Sequence, residues 1–308
     1  MRFTIYQDSR QGGRANNEDR TTYCYSREAL LMVVADGMGG HHHGEIASQI
    51  AVQTLADSFQ REARPAIADP FRFLQRGLTN AHSAILDYTV HHRLRDTPRT
   101  TCVACVVQDN VACWAHAGDS RLFLMRGGKL IAQTRDHSRV RFLIEEGMLS
   151  ETQAAVHPER NKIYSCLGSP TPPEIEFSRK TPLNHGDILL LCSDGLWGEV
   201  SGEEMAAALK GANLAHAVPM LLTRAEVKGG AQVDNLSVVV VRWEDAYVEE
   251  PSSVISTQAM GFNEVATHME EFGRDPAHKV DLSEEEIEKA IEEIRSTIEK
   301  FNPRKPGQ

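Results

Sequence analysis

TCVACVVQDNVACWAHAGDSRLFLMRGGKLIAQ, residues 101–133, alternates apolar runs with short groups of turn-forming residues. The turns are QDN at 108–110, GDS at 118–120 and RGGK at 126–129. Apolar runs joined by so few residues are typical of β-hairpins. The stretch therefore predicts antiparallel strands, with Asp119 in a hairpin corner between two of them.

The rest of the first 245 or so residues continues this alternation, with a few longer helices. Strands are predicted at 21–26, 30–35, 101–108, 111–117, 122–126, 130–133, 188–192 and 236–243. Helices are predicted at 45–62, 70–91, 203–210 and 214–227. Many hairpin strands beside few long helices favour an α+β fold in which two sheets pack face to face with helices outside.

The composition limits the class of protein. The chain has 308 residues, of which 41% are hydrophobic, and a formal net charge of −10. An acidic chain is poorly suited to nucleic acid, whose phosphates attract basic surfaces. The apolar runs are shorter than the roughly 20 residues that span a bilayer, and the N-terminus has no signal core. We therefore expect a cytoplasmic protein without nucleic-acid or membrane partners.

Two of the six cysteines, Cys102 and Cys105, have the CxxC spacing of some zinc and redox sites. They lie in a predicted strand, where residues three apart point to opposite faces. The cysteines are therefore expected to be buried free thiols rather than a metal or redox pair.

The C-terminal segment differs in composition from the rest of the chain. Residues 249–280 are expected to form a linker, and 281–302 an amphipathic helix that opens with the capping-box pair Ser283 and Glu286. Packing of this helix on the preceding domain is favoured over a dimer contact or a partner-docking helix, because two heptads are short for a free coiled coil. Residues 303–308 are expected to be a disordered tail.

Acidic residues recur where apolar strands begin or end. Asp36 and Asp194 each follow an apolar run and precede a glycine, while Asp234 and the pair Glu18–Asp19 each precede a strand. A single aspartate in such a place is most simply a turn residue. Several carboxylates at one rim of a sheet would repel each other, however, unless cations lay between them.

These carboxylates, with Asp119, predict a binuclear metal centre. Oxygen ligands favour Mg²⁺ or Mn²⁺ over zinc, and two such ions can hold and ionise a water between them. The carbonyl of Gly37 is a further candidate ligand. A centre of this kind needs an anionic substrate, for which phosphate is the obvious candidate. Arg14 is suited to grip phosphate oxygens, although a lone arginine is more often only solvated.

The same residues lie in motifs that stand in the order found in a known family. The motifs are GGRANNEDR (12–20), VVADGMGGH (33–41), TTCVACVV (100–107), AGDSRLFLMRGGKL (117–130), TRDHS (134–138), EEGMLSETQAAVHPERNKIYSCLG (145–168), GDILLLCSDGLW (186–197) and DNLSVVVV (234–241). Over about residues 8–243, the sequence resembles the metal-dependent protein phosphatases, the type 2C serine/threonine phosphatases, in their compact bacterial form.

The resemblance implies a fold and a domain organisation. The fold would be a four-layer α-β-β-α sandwich, in which two antiparallel sheets lie between layers of helices. A catalytic domain would span residues 1–248, with a flap at about 138–165. One rim of the sandwich would hold two Mn²⁺ or Mg²⁺ ions and a looser third.

The resemblance also implies roles for individual residues. Arg14, Asp36 and Asp119 would be catalytic, with Arg14 as the phosphate clamp and Asp36 bridging the two ions. The metal ligands would be Asp19, Asp36, the Gly37 carbonyl, Asp119, Asp194 and Asp234. Residues that support the metals or touch the substrate would be Glu18, His41, His157, Arg160, Asn161 and Asn235.

The implied reaction is hydrolysis of phosphoserine and phosphothreonine in proteins by a metal-bridging hydroxide, without a phospho-enzyme intermediate. The substrates would be products of a serine/threonine kinase. Met38 stands where animal members carry a histidine thought to protonate the leaving oxygen, so a metal-bound water near Asp119 is the preferred donor. Arg99 replaces a glycine of the family; it either adds positive charge near the substrate or is simply exposed.

Two alternative functions are a pseudophosphatase scaffold that binds phosphoproteins and a hydrolase of small phosphoesters. The presence of every expected ligand carboxylate disfavours the scaffold. The irregular flap and open rim suit a protein substrate better than a small one. The histidine triplet is the other candidate for metal binding, but His42 and His43 are expected to be exposed rather than ligands.

Overall fold

The computed structural model describes residues 1–38, 43–154, 157–159, 162–244, 254–257 and 260–269. Its strands are β1 (Arg2–Arg10), β2 (Arg20–Tyr25), β3 (Ala29–Ala35), β4 (Gly37–Met38), β5 (Arg99–Thr100), β6 (Cys102–Gln108), β7 (Val111–Ala117), β8 (Arg121–Arg126), β9 (Lys129–Gln133), β10 (Glu176–Phe177), β11 (Thr181–Pro182), β12 (Ile188–Cys192), β13 (Leu236–Trp243), β14 (Val254–Ser256) and β15 (Ala266–Met269). Its α-helices are α1 (Gly44–Glu62), α2 (Pro70–His91), α3 (Arg139–Glu145), α4 (Glu151–Ala154), α5 (Asp194–Trp197), α6 (Gly202–Leu209) and α7 (Leu214–Gly229). Within these described ranges, no helix is long and apolar enough to cross a membrane.

The strands form two large antiparallel sheets and a two-stranded ribbon. The first sheet has the order β14-β1-β13-β12-β8-β9. The second has the order β10-β7-β6-β3-β2-β15, and β11 also pairs with β7. The ribbon joins β4 to β5, directly after the end of β3. Each strand and helix predicted within the first 245 residues is present, with ends that differ by at most two residues.

Side chains of the central strands alternate between two cores, because successive residues of a strand point to opposite faces. In β12, Leu189 and Leu191 enter the core between the sheets. Ile188 and Leu190 enter a second core beneath α6 and α7. The other sheet buries its outer face against α1 and α2. The resulting four layers confirm the predicted α+β sandwich with helices on the outside.

The same alternation separates the two CxxC cysteines. Cys102 packs beneath α1 and α2, whereas Cys105 packs between the sheets. All six cysteines are free and buried, and burial raises the pKa of Cys24 to about 12. The prediction of buried free thiols is therefore confirmed.

The GDS turn at 118–120 is not a hairpin corner, so that prediction was wrong. It joins β7 of the second sheet to β8 of the first, and the chain crosses from one sheet to the other. Gly118 has a φ of +110°, and a Cβ there would lie 2.5 Å from the Cβ of Thr101. A side chain would block this crossover. The turn motif was correct, but the strands that it joins do not pair.

The N-terminal strand β1 was not predicted. Its sequence, RFTIYQDSR, is largely polar, and most of its residues are only half-buried. The strand is held by its backbone instead, since it pairs with β13 from Phe3 opposite Trp243 to Arg10 opposite Leu236. Pairing with a distant, strongly apolar strand makes this polar segment part of the sheet.

The segment expected to be a linker contributes strands to both sheets. β14 pairs with β1 as an edge strand, and β15 pairs with β2 as the edge of the other sheet. Between them, Thr257 is buried and its hydroxyl donates to the carbonyl of Arg27 at 2.8 Å. The structure therefore differs here from the expectation of a linker over 249–280. The predicted helix at 281–302 and the tail at 303–308 lie outside the described residues.

The flap segment, residues 138–165, contains two short helices, α3 and α4. Its base is closed by an antiparallel bridge between Ser138 and Ile163. The hydroxyl of Ser138 also caps α3 by accepting from the backbone N–H of Arg141. The two ends of the flap segment are thus held together beside the GDS crossover.

Candidate metal centre

Five aspartates converge at one rim of the sandwich. Asp36 follows β3 and Asp19 precedes β2, and these two strands pair at that end of the second sheet. Asp194 follows β12 and Asp234 precedes β13, which pair at the corresponding end of the first sheet. Asp119 lies in the crossover between the two sheets. The structure thus brings together all five aspartates that the sequence singled out.

Burial and mutual repulsion make this cluster unfavourable when all of its carboxyls are charged. Burial, followed by the four other aspartates, raises the pKa of Asp36 well above its usual range. Burial and the charge of Asp194 do the same to the pKa of Asp119. Burial is also the largest cause that raises the pKa of Asp19 to about 7 and that of Asp194 to about 6. A cation among these oxygens would relieve the repulsion.

Two carboxylate oxygens of the cluster lack hydrogen-bond partners. Asp19 Oδ1 and Asp194 Oδ1 are buried and accept no hydrogen bond from the described residues. The other oxygen of Asp19, Oδ2, accepts from the hydroxyl of Ser193 at 2.6 Å. Because buried polar atoms almost always have partners, the two orphaned oxygens point to ions as their missing partners. The donor set is all oxygen, which fits hard divalent cations.

Both Asp-Gly pairs stand where the backbone comes close to another segment. A Cβ on Gly37 would lie 2.4 Å from the carbonyl oxygen of Gly44 and 2.6 Å from that of Glu18. A Cβ on Gly195 would lie 2.2 Å from the carbonyl oxygen of Asn235. The glycines therefore let the start of α1 approach β4, and the start of α5 approach β13.

Two threonines fix the backbone of Asp36. Its carbonyl accepts from the N–H of Thr101 at 2.9 Å and from the hydroxyl of Thr100 at 2.8 Å. The hydroxyl of Thr101 also lies 2.6 Å from that of Ser120 in the crossover. The sequence analysis did not assign a role to these hydroxyls, whose only sequence feature is a Thr-Thr pair before an apolar strand.

Asn235 organises the loop that carries Arg14, Glu18 and Asp19. Its amide nitrogen donates to the carbonyls of Gln11 at 2.7 Å and Asn16 at 3.0 Å. Its side-chain oxygen accepts from the backbone N–H of Glu18 at 2.9 Å. The side chain thus ties the loop before β2 to the start of β13.

Arg14 lies at the mouth of the aspartate cluster. Its Nη2 donates to Asp234 Oδ2 at 2.5 Å, and its side chain is 57% exposed. The carboxylates of Asp234, Asp194 and Asp36 all raise the pKa of the guanidinium, with the hydrogen bond to Asp234 as the largest cause. The side chain is therefore both attracted to the cluster and accessible from solvent.

The crossover that carries Asp119 is supported by a tryptophan and an arginine. The indole N–H of Trp197 donates to the carbonyl of Asp119 at 2.9 Å. The guanidinium of Arg121 stacks 3.5 Å from the centre of the Trp197 ring and forms two hydrogen bonds of 2.7 Å with Asp136. Neither support was predictable from the sequence, because neither contact follows from a local pattern.

The remaining predicted residues are placed as follows. His41, Arg160 and Asn161 lie outside the described residues. The Nδ1 atom of His157 accepts from the backbone N–H of Glu159 at 3.1 Å, which is a local turn contact. The carboxylate of Glu18 lies against the start of α1 near Gly44, where a Cβ would be 2.4 Å from Glu18 Oε2.

Comparison with known proteins identifies the family. A family model described as protein phosphatase 2C matches residues 7–223. The chain is 32% identical over 231 residues to the serine/threonine phosphatase stp of Listeria monocytogenes serotype 4b, covering 74% of this chain and 90% of that relative. The structure of the S. agalactiae serine/threonine phosphatase matches with a TM-score of 0.72 at 29% identity, covering 79% of this chain and 100% of that one.

A second solved structure is the catalytic domain of the serine threonine protein phosphatase PstP in complex with 2 manganese ions. It matches with a TM-score of 0.66 at 33% identity and covers 80% of this chain and 100% of that one. The family model covers more than half of the chain, and the relatives and solved structures cover about three quarters or more of it. The chain belongs to the protein phosphatase 2C family.

Proposed function

We propose that this protein is a metal-dependent phosphatase that hydrolyses phosphoserine and phosphothreonine in proteins. The observation that carries the proposal is the rim of five aspartates, of which Asp19 and Asp119 are buried, and in which Asp19 and Asp194 have orphaned oxygens. Arg14 beside them provides a cation for the phosphate. The relatives supply the substrate class, since they are serine/threonine phosphatases. The opposing enzyme would be a serine/threonine kinase.

The residues proposed to hold two Mn²⁺ or Mg²⁺ ions are Asp19, Asp36, the Gly37 carbonyl, Asp194 and Asp234, with Asp119 at a third position. The manganese-bound PstP catalytic domain supports the number of ions and the choice of manganese. When bound, such ions activate water and neutralise negative charge on the phosphoryl oxygens. The raised pKa values of the free carboxyls fit ligands whose charge a cation must balance.

Arg14 is proposed to exchange partners during binding. In the free protein its guanidinium is bonded to Asp234. A phosphoryl group offers oxygens in the planar, bidentate arrangement that guanidinium groups prefer. The side chain is exposed enough to turn toward an incoming phosphate, and Asp234 is then free to serve as a ligand. Arg14 thus orients the phosphoryl group for attack.

The leaving oxygen needs a proton, and Met38 cannot supply it. Its thioether has no ionisable proton, and it lies opposite Arg99 in the ribbon next to Asp36. We assign to Asp119 the orientation of the proton donor, because it is the one rim aspartate held between the two sheets by the Trp197 contact. No side chain is proposed to form a covalent phospho-intermediate. Cys192, although close to Asp194 in sequence, is fully buried and its pKa is raised by burial.

The proposal is tested by measuring hydrolysis of p-nitrophenyl phosphate and of phosphothreonine peptides with and without Mn²⁺. We expect activity that depends on Mn²⁺, is abolished by EDTA and is lost in Asp194→Ala. Activity that persists in EDTA or in Asp194→Ala would contradict the metal-dependent mechanism. Hydrolysis of p-nitrophenyl phosphate alone would favour a small-phosphoester hydrolase, and binding of phosphopeptide without turnover would favour a scaffold. We also propose that residues 281–302 form an amphipathic helix and that the protein is cytoplasmic.

A further inference from the structure

A second cluster of potential ligands, His116, His137 and Glu176, lies beside the Asp119 crossover. His116 is in β7, and Glu176 of β10 is its cross-strand partner. His137 follows β9, immediately before the flap segment. One ligand atom from each of the three side chains lies within 4.8 Å of the others. None of these residues has a role in the reaction proposed above.

Each of the two imidazoles has one nitrogen without a hydrogen-bond partner among the described residues. His116 is 2% exposed and His137 is 1% exposed. His116 Nδ1 and His137 Nε2 are buried, and no described group forms a hydrogen bond with either atom. The Glu176 side chain, in contrast, is 46% exposed and opens the cluster to solvent. Two buried orphaned nitrogens beside an exposed carboxylate require an explanation, since buried polar atoms are normally paired.

The hydrogen bond on the far side of His116 fixes its tautomer. His116 Nε2 lies 2.6 Å from the carbonyl oxygen of Arg135. A carbonyl can only accept, so Nε2 must carry the proton and Nδ1 must carry a lone pair. An imidazole whose second nitrogen donates to a backbone carbonyl is the usual arrangement of a metal-bound histidine. His116 is therefore preorganised as a ligand.

We propose that His116 Nδ1, His137 Nε2 and Glu176 form a binding site for one divalent transition-metal ion of the zinc class, separate from the aspartate rim. Two imidazoles and one carboxylate suit Zn²⁺ and similar ions, whereas the all-oxygen rim suits Mn²⁺ and Mg²⁺. In a tetrahedral ion with bonds of about 2.0–2.1 Å, neighbouring ligand atoms are about 3.4 Å apart. His137 Nε2 and Glu176 Oε2 are 3.8 Å apart, so a small side-chain adjustment closes the site. Burial lowers the pKa of both imidazoles, which keeps them neutral and able to bind.

Metal binding at this site would affect the Asp119 crossover, because His137 is hydrogen-bonded to Gly118. The backbone N–H of Gly118 donates to His137 Nδ1 at 3.2 Å, so the free ring has its lone pair on Nδ1 and its proton on Nε2. A metal at Nε2 requires the proton to move to Nδ1, where it faces the Gly118 N–H. That hydrogen bond is then lost, and the bond from the His137 N–H to the Gly118 carbonyl, at 3.0 Å, is the contact that remains between these two residues. An ion at this site therefore loosens the residue before Asp119. This coupling rests on the proposed role of Asp119, whereas the binding does not.

Binding is tested by titrating Zn²⁺ into the full chain by calorimetry, with Mg²⁺ in large excess to keep the rim filled. We expect one equivalent of Zn²⁺ to bind. His116→Gln and Glu176→Gln should each lower the affinity by more than the roughly 10–100-fold that loss of an outer-shell partner costs. His216→Gln and Glu174→Gln, which change exposed residues of the same kinds, are the matched controls. Equal Zn²⁺ affinity in the wild type and in both cluster variants would overturn the site. Since Glu176 is half-exposed, its variant tests the site even if His116→Gln does not fold.

Coupling is tested by adding one equivalent of Zn²⁺ to the Mn²⁺-loaded protein and measuring kcat for p-nitrophenyl phosphate. If the lost positioning of Asp119 costs as much free energy as one hydrogen bond, kcat should fall roughly fivefold. His116→Gln should keep the basal kcat and lose the inhibition. Inhibition of equal size in His116→Gln would place the effect at the rim and overturn the coupling. Binding of one Zn²⁺ without inhibition would overturn the coupling and leave the site standing. A protein without phosphatase activity would still be tested by the calorimetry.

Discussion

Asp36–Gly37 and Asp194–Gly195 look alike in the sequence, because each follows a buried apolar strand, yet their surroundings differ. After Asp36 the chain stays extended as β4, whereas Asp194 lies in the first turn of α5. Burial and the charge of Asp234 raise the pKa of Asp194, but Arg14, a hydrogen bond with the Asp36 side chain and the backbone N–H of Gly195 act against the rise. Around Asp36, burial and four other aspartates all act in the same direction.

The difference shows that one sequence motif can place a carboxylate in two kinds of surroundings. Asp194 has part of its charge offset by the protein, through Arg14 and the start of a helix. Asp36 is influenced by four other aspartates, so its charge would need bound cations for balance. Asp36 is therefore the aspartate whose removal should disturb the metal centre most, and the following experiments test that ranking.

The largest expected effect is that of Asp36→Asn. We expect kcat/KM for p-nitrophenyl phosphate to fall by at least about 10³-fold, or about 4 kcal/mol of transition-state stabilisation. Asp194→Asn should cost roughly tenfold less, because its charge has other partners. The Mn²⁺ concentration for half-maximal activity should rise in the same order. Asp87→Asn, an exposed change on α2, is the control. A larger loss in Asp194→Asn would contradict the comparison.

The two glycines are expected to differ less than the two aspartates. Gly37→Ala would place a Cβ within 2.6 Å of three backbone atoms, and Gly195→Ala within 2.2 Å of one carbonyl oxygen. Overpacking of this kind costs about 1–3 kcal/mol, so each variant should lower Tm by roughly 2–10 °C in thermal unfolding. We expect the larger drop for Gly37→Ala. Gly261→Ala, where the nearest atom is 3.7 Å from the new Cβ, should leave Tm unchanged. An unchanged Tm in both rim variants would show that the close approaches are not required.

Arg14→Lys removes the planar fork but keeps the positive charge near Asp194 and Asp234. We expect KM for p-nitrophenyl phosphate to rise about tenfold, with a smaller change in kcat, because bidentate binding of the phosphoryl group is lost. Arg72→Lys on α2 provides the matched surface control. Steady-state kinetics at saturating Mn²⁺ measure both constants. A fall in kcat with unchanged KM would mean that Arg14 acts on the reaction step rather than on binding.

The smallest expected effect is on the pH dependence of stability in metal-free protein. The folded-state pKa values of Asp19 and Asp194, about 7 and about 6, lie above the ordinary value of 3.8. The folded state therefore binds more protons, and the stability present at low pH is lost as pH rises from about 4 through about 7. We expect Tm in EDTA to fall by on the order of 5 °C between pH 5 and pH 8. In Asp36→Asn the fall should be smaller. An equal fall of Tm with pH in the two proteins would show that the charge of Asp36 does not contribute to this loss of stability.

Much of the fold was predictable from sequence, because apolar runs indicate buried strands and a helical spacing of apolar residues indicates amphipathic helices. β12 and β13 were located to the residue, since each is a short run of buried aliphatic side chains. β1 was not predicted because its largely polar sequence lacks the apolar pattern of a strand. The strand forms through backbone pairing with β13. Residues 118–120 were misassigned because a turn motif does not reveal whether the flanking strands share a sheet.

The candidate site also has some features that were predictable from sequence and others that were not. Carboxylates at strand ends could be located, because strand ends of one sheet meet at a common rim. Their supports could not: the Thr100 hydroxyl on the Asp36 carbonyl and the Trp197 indole on the Asp119 carbonyl each join residues more than 60 positions apart. The pairing of His116 with Glu176 was likewise hidden, because it depends on a two-residue strand.

The rim aspartates are divided between the sheets, with Asp19 and Asp36 at the end of one and Asp194 and Asp234 at the end of the other. The apolar layer between the sheets therefore separates the two pairs of aspartates and would set the width of the opening for the proposed ions. Packed sheets lie about 10 Å apart, and the distance depends on the side chains between them. A larger or smaller side chain at Leu191 or Val34, which lie in that layer, should therefore change the ion radius that fits best. Such a substitution would leave every proposed ligand unchanged.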